Sequence, residues 1–128
     1  MNDIVFVRIE ELKEHEEIRP DYLEELKNEI LSDGILKMPI AVDRKTYIIL
    51  DGHHRLHALK RIGCTQIPVV FVDYQSPDIQ VIGWKEGEKV TKELVLDRAL
   101  SGRRMPSKTS KHISAIEIVI NIPLEKLK

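Results

Sequence analysis

Hydrophobic and polar positions alternate through residues 3–9, "DIVFVRI", and the β-branched residues there favour a half-buried strand. Residues 13–18, "KEHEEI", break the alternation and read as a polar connector. Pro20 and Asp21 then open a helix: Leu23, Leu26, Ile30 and Leu31 recur three and four residues apart and so share one face. Gly34 is its expected C-cap. "MPIAVD" (38–43) and "TYIIL" (46–50) predict two strands joined by a short charged turn at Arg44 and Lys45. Leu56, Leu59, Lys60 and Ile62 mark a second helix, ended by Gly63.

"QIPVVFVDY" (66–74) is almost uninterruptedly apolar, as a strand covered on both faces must be. "DIQVIGW" (78–84) alternates and predicts another strand, and "KELVLDRAL" (92–100) a third helix ending at Gly102. "SGRRMPSKTSKH" (101–112) is basic and loop-like, and "ISAIEIVINI" (113–122) alternates as a final strand. Interleaved strands and helices predict an α/β (mixed α+β) fold, a small mixed sheet flanked by helices. One domain over 1–128 is expected, with its core in about 1–74 and a strand, helix, basic loop and last strand in 75–128.

Composition narrows the class. A length of 128 residues fits one domain, 42% hydrophobic residues support a core, and 32% charged residues solvate it. A net charge of −1 argues against a dedicated nucleic-acid binder, whose affinity rests on clustered Lys and Arg. The single Cys64 excludes an internal disulfide framework and fits a reducing compartment. The first residues turn acidic at once, unlike a signal peptide, and the apolar run 67–72 falls far below the ~20 residues of a membrane span. The expectation is a soluble, cytoplasmic protein with no membrane partner. Asn and Gln number three each while Glu, Lys, Arg and Ile abound, a balance common in thermophiles.

The chemistry concentrates in "LDGHHRLHALKRIG" (50–63). Of the five histidines, His15, His53, His54, His57 and His112, three fall within five positions. A strand, a tight turn at Asp51–Gly52 and a helix start follow one another there. A helix N-terminus presents unpaired N–H groups and partial positive charge, Gly52 permits close backbone approach, and His53, His54 and Arg55 stand at the same end. Together they make a phosphate cradle. Asp51 suits that place by holding Mg²⁺ or orienting a neighbour; alternatively it is a plain N-cap with the histidines exposed on the first turn. A metal site is a further reading, since His53 and His57 are spaced i, i+4 and His54 and His57 i, i+3, with His112 or Glu16 as third ligand.

These residues resemble the ParB/sulfiredoxin superfamily, whose members run strand, polar loop, helix, Gly, Pro-Ile strand, then a strand–Gly–x–x–Arg–helix turn. The likeness covers roughly the first 74 residues. Sulfiredoxins carry a catalytic Cys in the turn, where this chain has His53, and DNA-loading ParB proteins carry Glu-Arg-Arg after the glycine. Within the superfamily the chain looks like the free L-serine kinases. "HEE" (15–17) matches the loop in which those enzymes place a catalytic glutamate after a histidine, which implies Glu16 as the catalytic carboxylate and Glu17 as its bystander. "DGHHR" (51–55) matches their Asp-Gly-x-His-Arg turn. "GW" (83–84) and "PSKTSKH" (106–112) resemble their serine-binding Trp and Lys-Thr-Thr-x-His segment, implying Trp84, Lys108, Ser110 and His112 as substrate contacts, with Ser110 in place of a Thr. The family's long helical insertion between those two segments is replaced here by Lys85 to Ser107. The resemblance implies phosphoryl transfer from ADP or ATP to free L-serine, giving O-phospho-L-serine.

The residues themselves allow that chemistry. Transfer to a hydroxyl needs positioning, charge stabilisation and a proton acceptor. Glu16 can take the proton if burial or Glu17 raises its pKa from about 4.3, and Asp51 can hold Mg²⁺ against the nucleotide's oxygens. Without the resemblance, Glu16 reads as a solvated loop carboxylate and Trp84 as core. From Arg98 to His112 stand Arg98, Arg103, Arg104, Lys108 and Lys111 without an acidic residue. That run either steers an anionic nucleotide or supports two other functions: a ParB-like nucleotide-gated DNA-binding or nuclease module, or a nucleotide-binding domain without turnover.

Overall fold

The computed structural model describes residues 4–77, 79–83, 90–105, 110–113 and 119–128, with the backbone alone for 82 and 110–113. In chain order the elements are β1 (Ile4–Arg8), α1 (Pro20–Asp33), β2 (Ile35–Leu36), β3 (Ile40–Asp43), β4 (Ile49–Asp51), α2 (His53–Ile62), β5 (Gln66–Val72), β6 (Gln80–Gly83), α3 (Lys92–Ser101), β7 (Ser110–Ile113) and β8 (Ile122–Pro123). Short 3-10 turns occupy Ile9–Glu11 and Leu124–Leu127.

The main sheet has the order β1-β5-β3-β4. β5 runs antiparallel to β1 and parallel to β3, and β3 and β4 are antiparallel, so the sheet is mixed as expected. β5 is covered on both faces. Its Ile67 and Val69 pack with Leu23 and Ile30 of α1 and Leu56 and Leu59 of α2, while Val70 and Val72 pack with Tyr74, Ile79 and Val95. That double coverage explains the apolar run. α1 and α2 therefore lie on one face of the sheet and α3 closes the other. Left-handed Gly34, Gly63 and Gly102 end the three helices at the expected positions.

Three expectations are corrected. The strand expected at 38–43 begins at Ile40, after a Met38 that is exposed and a Pro39 that has no N–H to give a ladder. The strand expected at 46–50 becomes Ile49–Asp51, because Thr46 belongs to the turn. Thr46 donates its amide (3.1 Å) and hydroxyl (2.6 Å) to the buried Asp43 carboxylate, which also receives the Tyr74 N–H at 3.1 Å. Tyr47 then turns the chain at φ 62°. The continuous strand expected at 113–122 is divided. β7 pairs antiparallel with β6, residues 119–121 are not strand, and β8 is a two-residue partner of β2. Pro123 lacks the donor a longer ladder needs.

The segment 13–18 is more than a connector. Lys13 bridges to Ile48: its N–H donates to Tyr47 O (2.9 Å) and its carbonyl accepts from Ile49 N–H (2.8 Å). Two residues later Met105 N–H donates to His15 O and Glu17 N–H to Met105 O, both at 2.7 Å. The loop is thus stitched between β4 and the chain that follows α3.

Candidate active site

α2 starts at Gly52, whose φ of 110° only glycine adopts without strain. A Cβ there would stand 2.3 Å from Ile40 Cγ2, so the glycine is demanded by β3 packed beneath it as much as by any ligand. Among the described residues, no side chain caps the helix N-terminus. The N-cap role proposed for Asp51 is therefore not realised. Asp51 ends β4, its side chain is 68% exposed, and one carboxylate oxygen pairs with Arg55 at 3.2 Å.

The histidines are not exposed on the first turn. Positions 53 and 57 are neighbours on the helix surface, as are 54 and 57, and all three residues meet the 13–19 loop. His53 Nε2 accepts the His15 N–H at 3.2 Å, His54 Nε2 accepts the Arg19 N–H at 3.0 Å, and His57 Nε2 pairs with Glu14 Oε1. His15 stands edge-on to His53 with ring centroids 4.6 Å apart, and Tyr22 of α1 does the same to His54 at 4.7 Å.

Glu16 is buried, 7% exposed, so it is not the solvated loop carboxylate that the sequence allowed. Its Oε2 lies 4.0 Å from His15 Nδ1. His15, Glu16 and His53 bring one ligand atom each within 4.8 Å of one another. This replaces the histidine pairs first considered for a metal, because His57 turns to Glu14. The donor set matches zinc chemistry, yet Nε2 of His53 already serves the His15 amide, and a metal taken there would break that bond. For Mg²⁺, the exposed Asp51 offers one free carboxylate oxygen, which fits an ion that keeps most of its waters and is shared with phosphates.

Glu14 was missed in the sequence. Its side chain is 7% exposed, and its second oxygen accepts from Arg104 at 2.9 Å. Burial pushes its pKa up, but the His57 hydrogen bond and the charges of His57, Arg104 and Lys60 outweigh that and hold it below the ordinary 4.5. A cleft of about 500 Å³ opens beside the loop, lined by Lys13, Glu14, Glu17 and Arg104 with Leu12, Ala99 and Gly102. The basic run is partly neutralised: Arg103 pairs with Asp97 at 3.5 Å, besides Arg104 with Glu14. Trp84 and Lys108 lie outside the described residues. Ser110 and His112 stand on β7 opposite Gly83 and Val81 of β6, and their side chains are likewise outside the description.

Known proteins are similar to this chain in sequence and in fold. An "ATP-dependent L-serine kinase" of Desulfurococcus mucosus is 37% identical over 87 residues, 65% of this chain and 34% of the relative. An "ADP-dependent L-serine kinase SerK" of Thermococcus kodakarensis is 31% identical over 100 residues, 75% of this chain and 41% of the relative. The chain therefore spans well under half the length of these relatives. Among solved structures, a free serine kinase in complex with AMP superposes with a TM-score of 0.88 at 19% identity, over 98% of this chain and 94% of that one. A conserved hypothetical protein from Pyrococcus furiosus gives a TM-score of 0.90 at 18% identity, over 98% and 97%. These likenesses establish the expected fold. The sequence profile of the ParB N-terminal domain matches residues 1–85. With that match covering most of its length, the chain belongs to the ParB N-terminal domain family.

Proposed function

We propose that the protein is a small-molecule kinase that moves a phosphoryl group from ADP or ATP to the hydroxyl of free L-serine, forming O-phospho-L-serine. The observation that carries this is the placement of Glu16, a buried carboxylate beside His53, the first residue of α2. Relatives named L-serine kinases support it.

In this mechanism the uncapped start of α2, with Gly52, His53, His54 and Arg55, holds the nucleotide's phosphates through N–H groups and positive charge. The serine oxygen attacks the terminal phosphorus, the bond to the bridging oxygen breaks, and AMP or ADP leaves. Glu16 takes the hydroxyl proton. Its burial excludes bulk water from that oxygen, and the backbone bonds on either side fix the loop that carries it. Asp51 would hold Mg²⁺, which when bound supplies charge neutralisation on the phosphate oxygens. Trp84, Lys108, Ser110 and His112 are the proposed serine contacts, on the strength of the family resemblance.

Incubation with Mg²⁺, ADP or ATP and a panel of amino acids tests the proposal, read by mass spectrometry of the products. Phosphoserine that depends on the protein supports it. No phosphorylated amino acid, together with salt-sensitive DNA binding, would instead favour the DNA-binding module.

A further inference from the structure

Glu14 lies outside every motif that the kinase proposal uses, yet its carboxylate joins three parts of the molecule. It belongs to the loop that carries Glu16. One oxygen holds His57, one turn into α2, and the other holds Arg104, next to the residue that bridges to Glu16. The Glu14 side chain is nearly buried and its His57 partner largely so, which strengthens that pairing, while Arg104 reaches it from the half-exposed side. We propose that Glu14 is the positioning residue of the site, fixing the register of the Glu16 loop against the start of α2.

The geometry supplies the reason. The His15 N–H to His53 bond tolerates little sliding of the loop, since a shift of an ångström takes it from 3.2 Å past hydrogen-bonding distance. The loop's backbone ties run to Met105 and to Ile48, at the start of the strand that leads into α2. Side chains bridge the loop to α2: His53 and His54 accept from loop amides, and the Glu14 carboxylate reaches from the loop to His57. Glu14 also brings formal charge, and Arg104 keeps that charge compensated. The catalytic consequence rests on the kinase proposal; the positioning itself does not.

The test compares wild type with Glu14→Gln and with Leu127→Ala, a core change whose residue packs with the α1–α2 layer and takes no part in the loop. Steady-state phosphoserine formation, thermal melting and ¹⁵N resonances of the histidine rings are measured on each. Glu14→Gln is expected to lower kcat about tenfold with the serine KM within threefold, and to shift the ring signals of His53 and His54 as well as His57. Leu127→Ala is expected to lower Tm at least as much while leaving kcat and those signals in place. Unchanged His53 and His54 signals in Glu14→Gln, or a kcat loss matched by Leu127→Ala at equal Tm, would overturn the inference. If wild type makes no phosphoserine, the kinase proposal fails alone and the ring signals decide the positioning.

Discussion

The backbone N–H of His15 donates to Nε2 of His53 at 3.2 Å, across 38 positions of sequence. That bond sets the proposed proton acceptor, one residue on at Glu16, beside the proposed phosphate cradle. It also fixes chemistry, since a ring nitrogen that accepts carries no proton of its own. Replacing His53 by Ala removes a buried acceptor and the ring that packs on His15. The expected cost is about 3 kcal/mol, from an unsatisfied amide together with lost packing. Urea unfolding measures it, and a cost below about 1 kcal/mol would mean that the bond is dispensable.

Glu16→Gln keeps the shape of the buried side chain and removes the base. Phosphoserine formation is expected to fall by roughly 10²–10⁴-fold, the usual contribution of general-base catalysis. The melting temperature should stay within a few degrees. A variant that retains most of its rate would assign the proton to another group.

Gly52→Ala faces two separate costs: a backbone at φ 110° and a Cβ 2.3 Å from Ile40 Cγ2. Together they are expected to destabilise the fold by about 3 kcal/mol or more. Shortening Ile40 to Ala in the same chain removes the 2.3 Å contact, and leaves the 2.9 Å approach to Cβ and the backbone strain. A coupling of about 1 kcal/mol or more in the double-mutant cycle checks this; simple additivity would contradict the contact.

Acid should loosen the loop through Glu14. Its carboxyl titrates below 4.5 when folded, because the His57 hydrogen bond and neighbouring cations outweigh burial. On acidification the unfolded chain therefore takes up this proton first. The Glu14 contribution to stability is present above pH 4.5 and is lost as pH falls through the folded value. Stability of wild type minus that of Glu14→Gln, followed by urea titration from pH 7 to 3, should shrink below pH 4.5. A difference constant over that range would contradict the pairing.

The single cysteine reports on integrity of the core. Cys64 is buried and burial pushes its thiol pKa up, with Lys128 opposing only in part. Thiolate is the reactive form, so a disulfide-exchange reagent at pH 8 should label the folded protein slowly and the unfolded chain at once. Rapid labelling of the native protein would show the 64–67 region opening.

Much of this was legible along the chain. Helix spacing placed α1, α2 and α3, with Gly34, Gly63 and Gly102 after their last turns, and the apolar run at 66–74 announced a strand covered on both sides. The division of 113–122 was not legible, because alternation says that a segment can pair and not with what. Ile122 pairs with Leu36, a two-residue strand too short to show any period.

The turn at 51–55 was legible in the sequence by itself, since glycine permits the positive φ of a strand-to-helix turn and a helix start exposes its first amides in any setting. The inward turn of Glu14, His15 and Glu16 was decided by tertiary structure. In "KEHEEI" nothing local separates a solvated carboxylate from a buried one. The partners of His15 and Glu14 stand 38, 43 and 90 residues away, at His53, His57 and Arg104. Burial of a charged group is stable only where such partners arrive, and only the packing of α2 and of the chain after α3 brings them there.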